Sequence, residues 1–335
     1  EAFRYQTDLV SLTLPDSVLT IGQSAFYGCR SITSLNLGNS VTTIGDSAFQ
    51  YCYSLISMTI PDSVTYLGSR AFYYCEDLVS VEIGDSVEAI GDYTFSSCED
   101  LVDVKFGDSV TSIGFRVFSS CGSLVSVSIP DQVTSVGGQL FFNCESLTSV
   151  VMGNSITSLE SQTFYNCQNL TSVTLGRSLA SISNNAFYLC DNLSELSVHP
   201  ENTVYSSVDG VLLSKDETSI LYFPCGRSGD YTIPDSVTSI AAYTFNNCDN
   251  LTSVTIGDSV SSISNFAFYF CDRLVSLALG RSVNSISPEY FFQCNLIAEI
   301  NVASENTVYS SLDGVVLSKD GATLVYFPPG RSGSY

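Results

Sequence analysis

Apolar positions recur along this chain in short, unequal steps. From Leu251 to Cys271 it reads LTSVTIGDSVSSISNFAFYFC, with apolar side chains at Leu251, Val254, Ile256, Val260, Ile263, Ala267, Phe268 and Cys271. Val254 and Ile256 alternate with Ser253 and Thr255, the period of two that marks a short half-buried strand. Gly257-Asp258 closes that strand, as Pro234-Asp235 does in IPDSV from Ile233, and both pairs are turn formers. A second extended piece is predicted from Val260 to Ile263. NFAFYFC then predicts one helical or 3-10 turn that brings Phe268 and Cys271 to the same side. A unit with one apolar side cannot bury it alone, so the pattern predicts units stacked into a solenoid with a continuous core.

Cysteine gives the repeat length. Cys29, Cys52, Cys75, Cys98, Cys121, Cys144, Cys167 and Cys190 are each 23 residues apart, and Cys248, Cys271 and Cys294 resume the step after a gap of 58. The surplus of 35 residues in that gap holds ENTVYSSVDGVLLSKD, from Glu201 to Asp216. Nearly the same words return 104 residues later as ENTVYSSLDGVVLSKD, from Glu305 to Asp320. Three periods of 23 plus 35 make 104, so three short coils and one long one form a larger unit. Within the long module, Val211 to Ser214 and Ile220 to Phe223 favour β structure and predict a hairpin joined by Lys215-Asp216-Glu217-Thr218. Cys225 reads as lying off the ladder, in the turn Pro224-Cys225-Gly226, and is expected as an exposed free thiol.

The motifs IPDSVTSI, AF with a cysteine three residues later, and L-x-S-V-x-I resemble the 23-residue BspA-like leucine-rich repeats of surface proteins. Those proteins occur in anaerobic bacteria and some parasitic protists, and the resemblance covers essentially the whole chain. It implies an α/β repeat solenoid: a right-handed, curved leucine-rich repeat, β-dominated, with short helical or 3-10 turns on the convex side. The expected organisation is a single solenoid over 1–335, a fragment of a longer chain, with hairpin-bearing long-repeat inserts at 199–231 and 303–335. The resemblance further implies a non-enzymatic cell-surface or secreted, extracellular protein mediating adhesion or protein–protein interaction with host matrix or cell-surface proteins. A structural spacer or self-assembling filament subunit, working by self-association, is the alternative.

Composition narrows the partners. Hydrophobic residues make up 44% of the 335, enough for a core, and charged residues only 14%. With 34 acidic against 12 basic residues the net charge is −22, a poor surface for nucleic acid, which is bound through Lys and Arg. No stretch of eighteen apolar residues occurs, so no membrane insertion is expected.

Catalytic and cofactor chemistry find little support. His199 is the only histidine, and neither a G-x-S-x-G elbow nor a glycine-rich phosphate loop is present. No enzyme activity and no cofactor are expected. The cysteines lack C-x-x-C pairs, which argues against zinc; they read as reduced core thiols, although disulfides between adjacent rungs are geometrically conceivable. Asp62, Asp85, Asp108 and Asp131 form a column that would suit calcium or, better, caps in which each Asp bonds its own turn. Asn39 and Asn154 fit capping, and Arg177 and Arg281 in the same column do not fit a calcium line. Two surfaces remain as candidate partner-binding sites. On the strand face, Glu82, Asp103, Lys105, Val151 and Glu195 interrupt columns of Ser, Thr and Asn. On the opposite flank stand Tyr27, Tyr51, Tyr73, Tyr74, Tyr165, Tyr188, Tyr269 and Phe270.

Overall fold

The structure is a computed structural model that describes residues 2–332. A typical 23-residue coil contributes a three- or four-residue strand (six residues at Leu251–Ile256), then a two-residue strand, then a segment of tight turns ending at the ladder cysteine. Among the described residues the coil ending at Cys294 has no second strand. The strands pair in parallel with their equivalents one coil on: Ser57–Thr59 lies beside Ser80–Glu82, and that beside Asp103–Lys105, in the register Met58↔Val81↔Val104. The second strands form their own ladder, six deep from Thr20–Ile21 to Ser135–Val136. Repeating at i+23 puts the same side chain on every rung, so alternation within one strand becomes alternation for the whole face. Ser57 and Thr59 are exposed and Met58 is buried.

Compactness divides the chain into two units. One runs to Cys190 and adds Glu201–Thr203; the other holds Asp191–Pro200 and everything from Val204 on. The core of the first is a column of phenylalanines. Phe3, Phe26, Phe49, Phe72, Phe95, Phe118, Phe141, Phe164 and Phe187 stack almost parallel with centroids 5.1 to 5.9 Å apart. Each buried ring contributes roughly 1.5–3 kcal/mol. In the second unit Phe223, Phe245, Phe268 and Phe291 continue the same idea at 4.7 to 5.6 Å.

The expected helical turns are absent, with one exception. Among the described residues the only helical segment is the 3-10 turn Pro288–Phe291, capped by the Ser287 side chain and started by its proline. Elsewhere half of the N–H groups leave the coil. In the coil ending at Cys52, the N–H groups of Ser47, Phe49 and Tyr51 donate to the Ser69, Ala71 and Tyr73 carbonyls one coil on. Those of Ala48, Gln50 and Cys52 donate three residues back. A helix would need all six inside the coil. The alternating pattern requires left-handed backbone at Ser47 (φ 56°) and Tyr51 (φ 62°), and equivalent residues repeat it, Arg70 with Tyr74 and Tyr93 with Ser97 among them. Each such residue costs about 1–2 kcal/mol, offset by a third parallel ladder of backbone bonds. The architecture is therefore a solenoid of parallel strands and turns.

The long modules hold three strands where a two-stranded hairpin is expected. Tyr205–Val208, Val211–Ser214 and Ser219–Tyr222 form an antiparallel meander, and Tyr309–Leu312, Val315–Ser318 and Leu324–Tyr326 repeat it. The added turn is Asp209-Gly210, both with positive φ, the Asp-Gly pair that two-residue hairpin turns favour. Ser219–Tyr222 then rejoins the ladder of second strands beside Ser239–Ile240. A buried asparagine opens each module: Asn306 donates to the Gly280 and Val283 carbonyls and accepts from the Val308 and Tyr309 N–H groups. Asn202 donates likewise to Gly176 and Leu179. Residues 333–335 at the end of the second insert lie outside the described residues.

Cys225 corrects another expectation. It lies 23 residues before Cys248, on the ladder, and it is buried and disulfide-bonded to Cys248. The rungs are not all equivalent, because Phe223 stands two residues before Cys225, whereas in the regular coils the phenylalanine stands three before the cysteine.

Candidate interaction surfaces

The remaining ten cysteines are free and buried. Each ladder thiol of the first unit donates to the phenylalanine carbonyl of the preceding coil, as Cys121 does to Phe95 at 3.2 Å and Cys144 to Phe118 at 3.0 Å. Burial pushes the Cys98 and Cys144 thiols up to about 12, so the nucleophilic thiolate is suppressed. Among the described residues no group of three or more His, Cys, Asp or Glu side chains is placed to hold a metal ion.

The aspartate column is a capping column, but each carboxylate bonds the next coil rather than its own turn. Asp62 Oδ1 accepts from the Asp85 N–H at 3.0 Å and Asp85 Oδ1 from the Asp108 N–H at 3.4 Å. Asp131 serves Asn154, whose own Oδ1 serves the Arg177 N–H. A polar acceptor is all the position needs, which is why Asn fills it as well as Asp.

On the strand face the structure brings Glu82, Asp103 and Lys105 together on adjacent strands. Glu82 and Lys105 are in register and form a salt bridge; Asp103 stands exposed beside Ser80. Val151 is exposed between Ser128 and Thr174 on a different stretch of strands. Glu195 belongs to the second unit, where it accepts from the Ser197 hydroxyl. Within the first unit, Glu82, Asp103 and Lys105 adjoin one another on neighbouring strands, and Val151 lies on another set of strands.

The aromatic flank resolves into clusters of stacked and edge-on rings. Tyr27 meets Tyr51 edge-on at 5.3 Å, Tyr51 lies 5.5 Å from Tyr74, and Tyr73 meets Tyr74 edge-on at 4.5 Å. The sequence reading missed several members of this cluster. Tyr53 carries Arg30 at 5.4 Å, and Tyr93 carries Arg70 at 4.8 Å. The signal for Arg70 and Tyr93 was the column five residues before each cysteine, where Arg70, Tyr93 and Arg116 succeed one another; for Arg30 and Tyr53 it was the position directly after Cys29 and Cys52. Burial, and after it the neighbouring Tyr51, holds the Tyr27 phenol above its ordinary value. Buried Ser96, Ser97 and Ser119 interrupt the run of rings, and Arg116 spans the gap, 5.9 Å from the Tyr93 ring and 5.0 Å from that of Phe142. Beyond them Tyr165 stacks on Phe142 at 4.7 Å and on Tyr188 at 5.8 Å. In the second unit Tyr269 meets Phe270 edge-on at 4.5 Å and stacks on Phe292 at 5.7 Å. In these clusters ring faces are largely taken by rings of the same or neighbouring coils, leaving the clusters' edges for a partner.

The chain matches the family model described as BspA type leucine rich repeat region over residues 1–125, 111–208 and 219–312. It is similar to the crystal structure of a leucine rich cell surface protein from Faecalibacterium prausnitzii, at 30% identity over 79% of this chain and 84% of that one, with a TM-score of 0.57. A leucine-rich repeat protein from Bacteroides ovatus aligns at 26% identity over 91% and 75% of the two chains, TM-score 0.63. The pneumococcal vaccine antigen PcpA shares the fold at 21% identity, over 79% and 83%, TM-score 0.56. The chain matches no curated protein.

Proposed function

The chain belongs to the BspA-type leucine-rich repeat family, and from that footing we propose that it is a non-enzymatic protein of the cell surface or its surroundings that binds other proteins. Its partners are host matrix or cell-surface proteins. The observation that carries this reading is the cluster of Tyr27, Tyr51, Tyr73 and Tyr74 bordered by Arg30 and Arg70. Tyrosine and arginine are enriched in binding hot spots, and here they gather on one flank of a chain with only 12 basic residues. The similarity to a cell surface protein supports the location. Glu82, Asp103, Lys105, Val151 and Glu195 serve as secondary contacts, because short Ser and Thr side chains around them offer little energy.

The test is binding of the immobilised chain to a panel of purified matrix glycoproteins and receptor ectodomains, with Tyr73→Ala and Arg70→Ala as variants. Binding that either variant weakens at least tenfold supports the reading. A panel in which nothing binds the native chain below 10 μM, on the order of −7 kcal/mol, overturns it.

A second reading, the self-associating spacer, draws on the unbroken phenylalanine column from Phe3 to Phe187. Light scattering across a concentration series decides it: mass that grows with concentration, and stops growing in Tyr165→Ala and Tyr188→Ala, favours assembly. A constant monomer mass removes it.

A further inference from the structure

The position four residues after each ladder cysteine opens the strand. In several coils it is threonine, and the hydroxyls of Thr33, Thr148 and Thr171 donate to the carbonyls of Val10, Val125 and Thr148. The position thus accepts a polar, satisfied side chain without loss to the fold. On four successive coils it is instead Ile56, Val79, Val102 and Val125, which stand 52%, 41%, 46% and 45% exposed. Their backbones are linked rung to rung, Val79 N–H to the Ile56 carbonyl and Val102 N–H to the Val79 carbonyl. The methyl groups form a continuous stripe with one step per rung, about 4.8 Å. Nothing in the fold requires them to be apolar.

Carboxylates border this stripe. Glu76-Asp77 and Glu99-Asp100 precede Val79 and Val102 with one buried leucine between, Leu78 or Leu101. The following coil has Gly122-Ser123 in place of the acidic pair. The missing side chains leave a concavity of about 410 Å³, walled by Glu99, Asp100 and Glu145 and floored by Gly122 and Ser123. That volume is in the range of ligand sites, and no basic residue lines it. The acids are close enough that Glu76 is held above its ordinary value, by burial and then by Glu99.

We propose that the stripe of Ile56, Val79, Val102 and Val125 is a docking site for a protein segment that alternates Lys or Arg with aliphatic residues, one basic side chain entering the Glu99–Glu145 concavity. Charge complementarity selects this occupant: an apolar stripe alone would suit any hydrophobic segment, but its border repels acidic ones. The proposal rests on the protein-binding reading above and names a site for it separate from the aromatic flank.

The experiment measures fluorescence anisotropy of a labelled twelve-residue peptide of alternating Lys and Val with the native chain, at 50 and 200 mM NaCl. Comparison peptides replace Lys by Glu or Val by Ser. The Lys-Val peptide binds, more weakly at the higher salt, and both comparison peptides bind at least tenfold more weakly. The triple variant V79T/V102T/V125T weakens binding at least tenfold with an unchanged melting temperature, since Thr already occupies positions 33 and 148. The variant E99Q/D100N/E145Q weakens it and flattens the salt dependence. No binding of the Lys-Val peptide, equal binding of the Glu-Val peptide, or an affinity that neither variant changes overturns the proposal. A panel protein that binds the native chain and the Thr triple variant equally removes this site but leaves the protein-binding reading intact. Peptide binding as expected with no panel protein bound overturns the matrix and cell-surface partners and leaves the site.

Discussion

Asp62 holds the coil that follows it: its Oδ1 accepts the backbone N–H of Asp85, 23 residues on, at 3.0 Å. The carboxylate acts as an acceptor and needs no cation, since Asn154 does the same for Arg177. Asp62→Asn is therefore expected to change the melting temperature by less than a degree, whereas Asp62→Ala costs about 0.5–1.5 kcal/mol, the net worth of one hydrogen bond. Calorimetry with calcium and with EDTA should give the same transition for the native chain. A transition raised several degrees by calcium would mean the column is a metal site.

Alkaline pH should unfold the chain early. Cys98 and Cys144 ionise in the folded state only at about 12, against about 8.5 in an unfolded chain. Below the unfolded value both states keep the proton and the contribution is fully present. Above it the unfolded chain releases protons that the folded ladder retains, so stability falls until the folded value is reached. Each pH unit in that window removes about 1.4 kcal/mol per such thiol. Urea midpoints measured from pH 7 to 11 should fall steeply from about 8.5, and Cys98→Ala/Cys144→Ala should flatten the slope. A midpoint constant to pH 10 would contradict buried protonated thiols.

Glycine spacing sets how closely two coils approach. A Cβ on Gly107 would overlap the Gly84 carbonyl oxygen, while one on Gly22 meets nothing within 4 Å. Gly107→Ala is expected to cost about 1–3 kcal/mol or more through overpacking. Gly22→Ala should be neutral or stabilising by up to about 1 kcal/mol, through the unfolded chain. Equal melting temperatures for the two variants would mean the coils can slide apart at no cost.

Asn306 joins the second long module to the coil before it, buried and with four backbone partners. Alanine there leaves those groups unpaired, at about 1–3 kcal/mol each where water cannot reach them. Asn306→Ala should cost at least about 3 kcal/mol. Hydrogen exchange should show faster exchange at Val308 and Tyr309 than in the native chain. Unchanged protection at those amides would remove the asparagine from its role.

The repeat, the strand registers and the phenylalanine column were legible because a period of 23 copies each side chain onto the next rung; Val254 and Ile256 already show the strand. The turn segments were misread as helical because Phe268 and Cys271 meet equally well in a chain that sends every second N–H to its neighbour. Only the inter-coil bonds distinguish the two, and they leave no mark on apolar spacing. Asp209-Gly210 carries a turn signal in the sequence, but Val211 to Ser214 and Ile220 to Phe223 already satisfy a two-stranded hairpin, so the apolar pattern does not call for the third strand. The candidate surfaces were legible as columns but not as clusters. That Lys105 would neutralise Glu82, or that Val102 would remain exposed beside a buried Leu101, depends on side-chain placement within the rung.

Cys225 tests the fold and its surroundings together. Its bond to Cys248 closes a span of 23 residues, and a loop of that size stabilises by about 3 kcal/mol. The second module cannot repeat it, because Pro329 stands where the equivalent cysteine would be. In denaturant without reductant, ten thiols should react with a chromogenic disulfide, and twelve after reduction; Cys225→Ser should give eleven without reductant. Burial holds the Cys52, Cys98 and Cys144 thiols well above their ordinary value and so protonated, and only the thiolate exchanges. Twelve reactive thiols in chain purified under air would mean the bridge does not form. A count below ten would mean that further rungs of the ladder also pair, and the buried thiols are then more reactive than their burial implies.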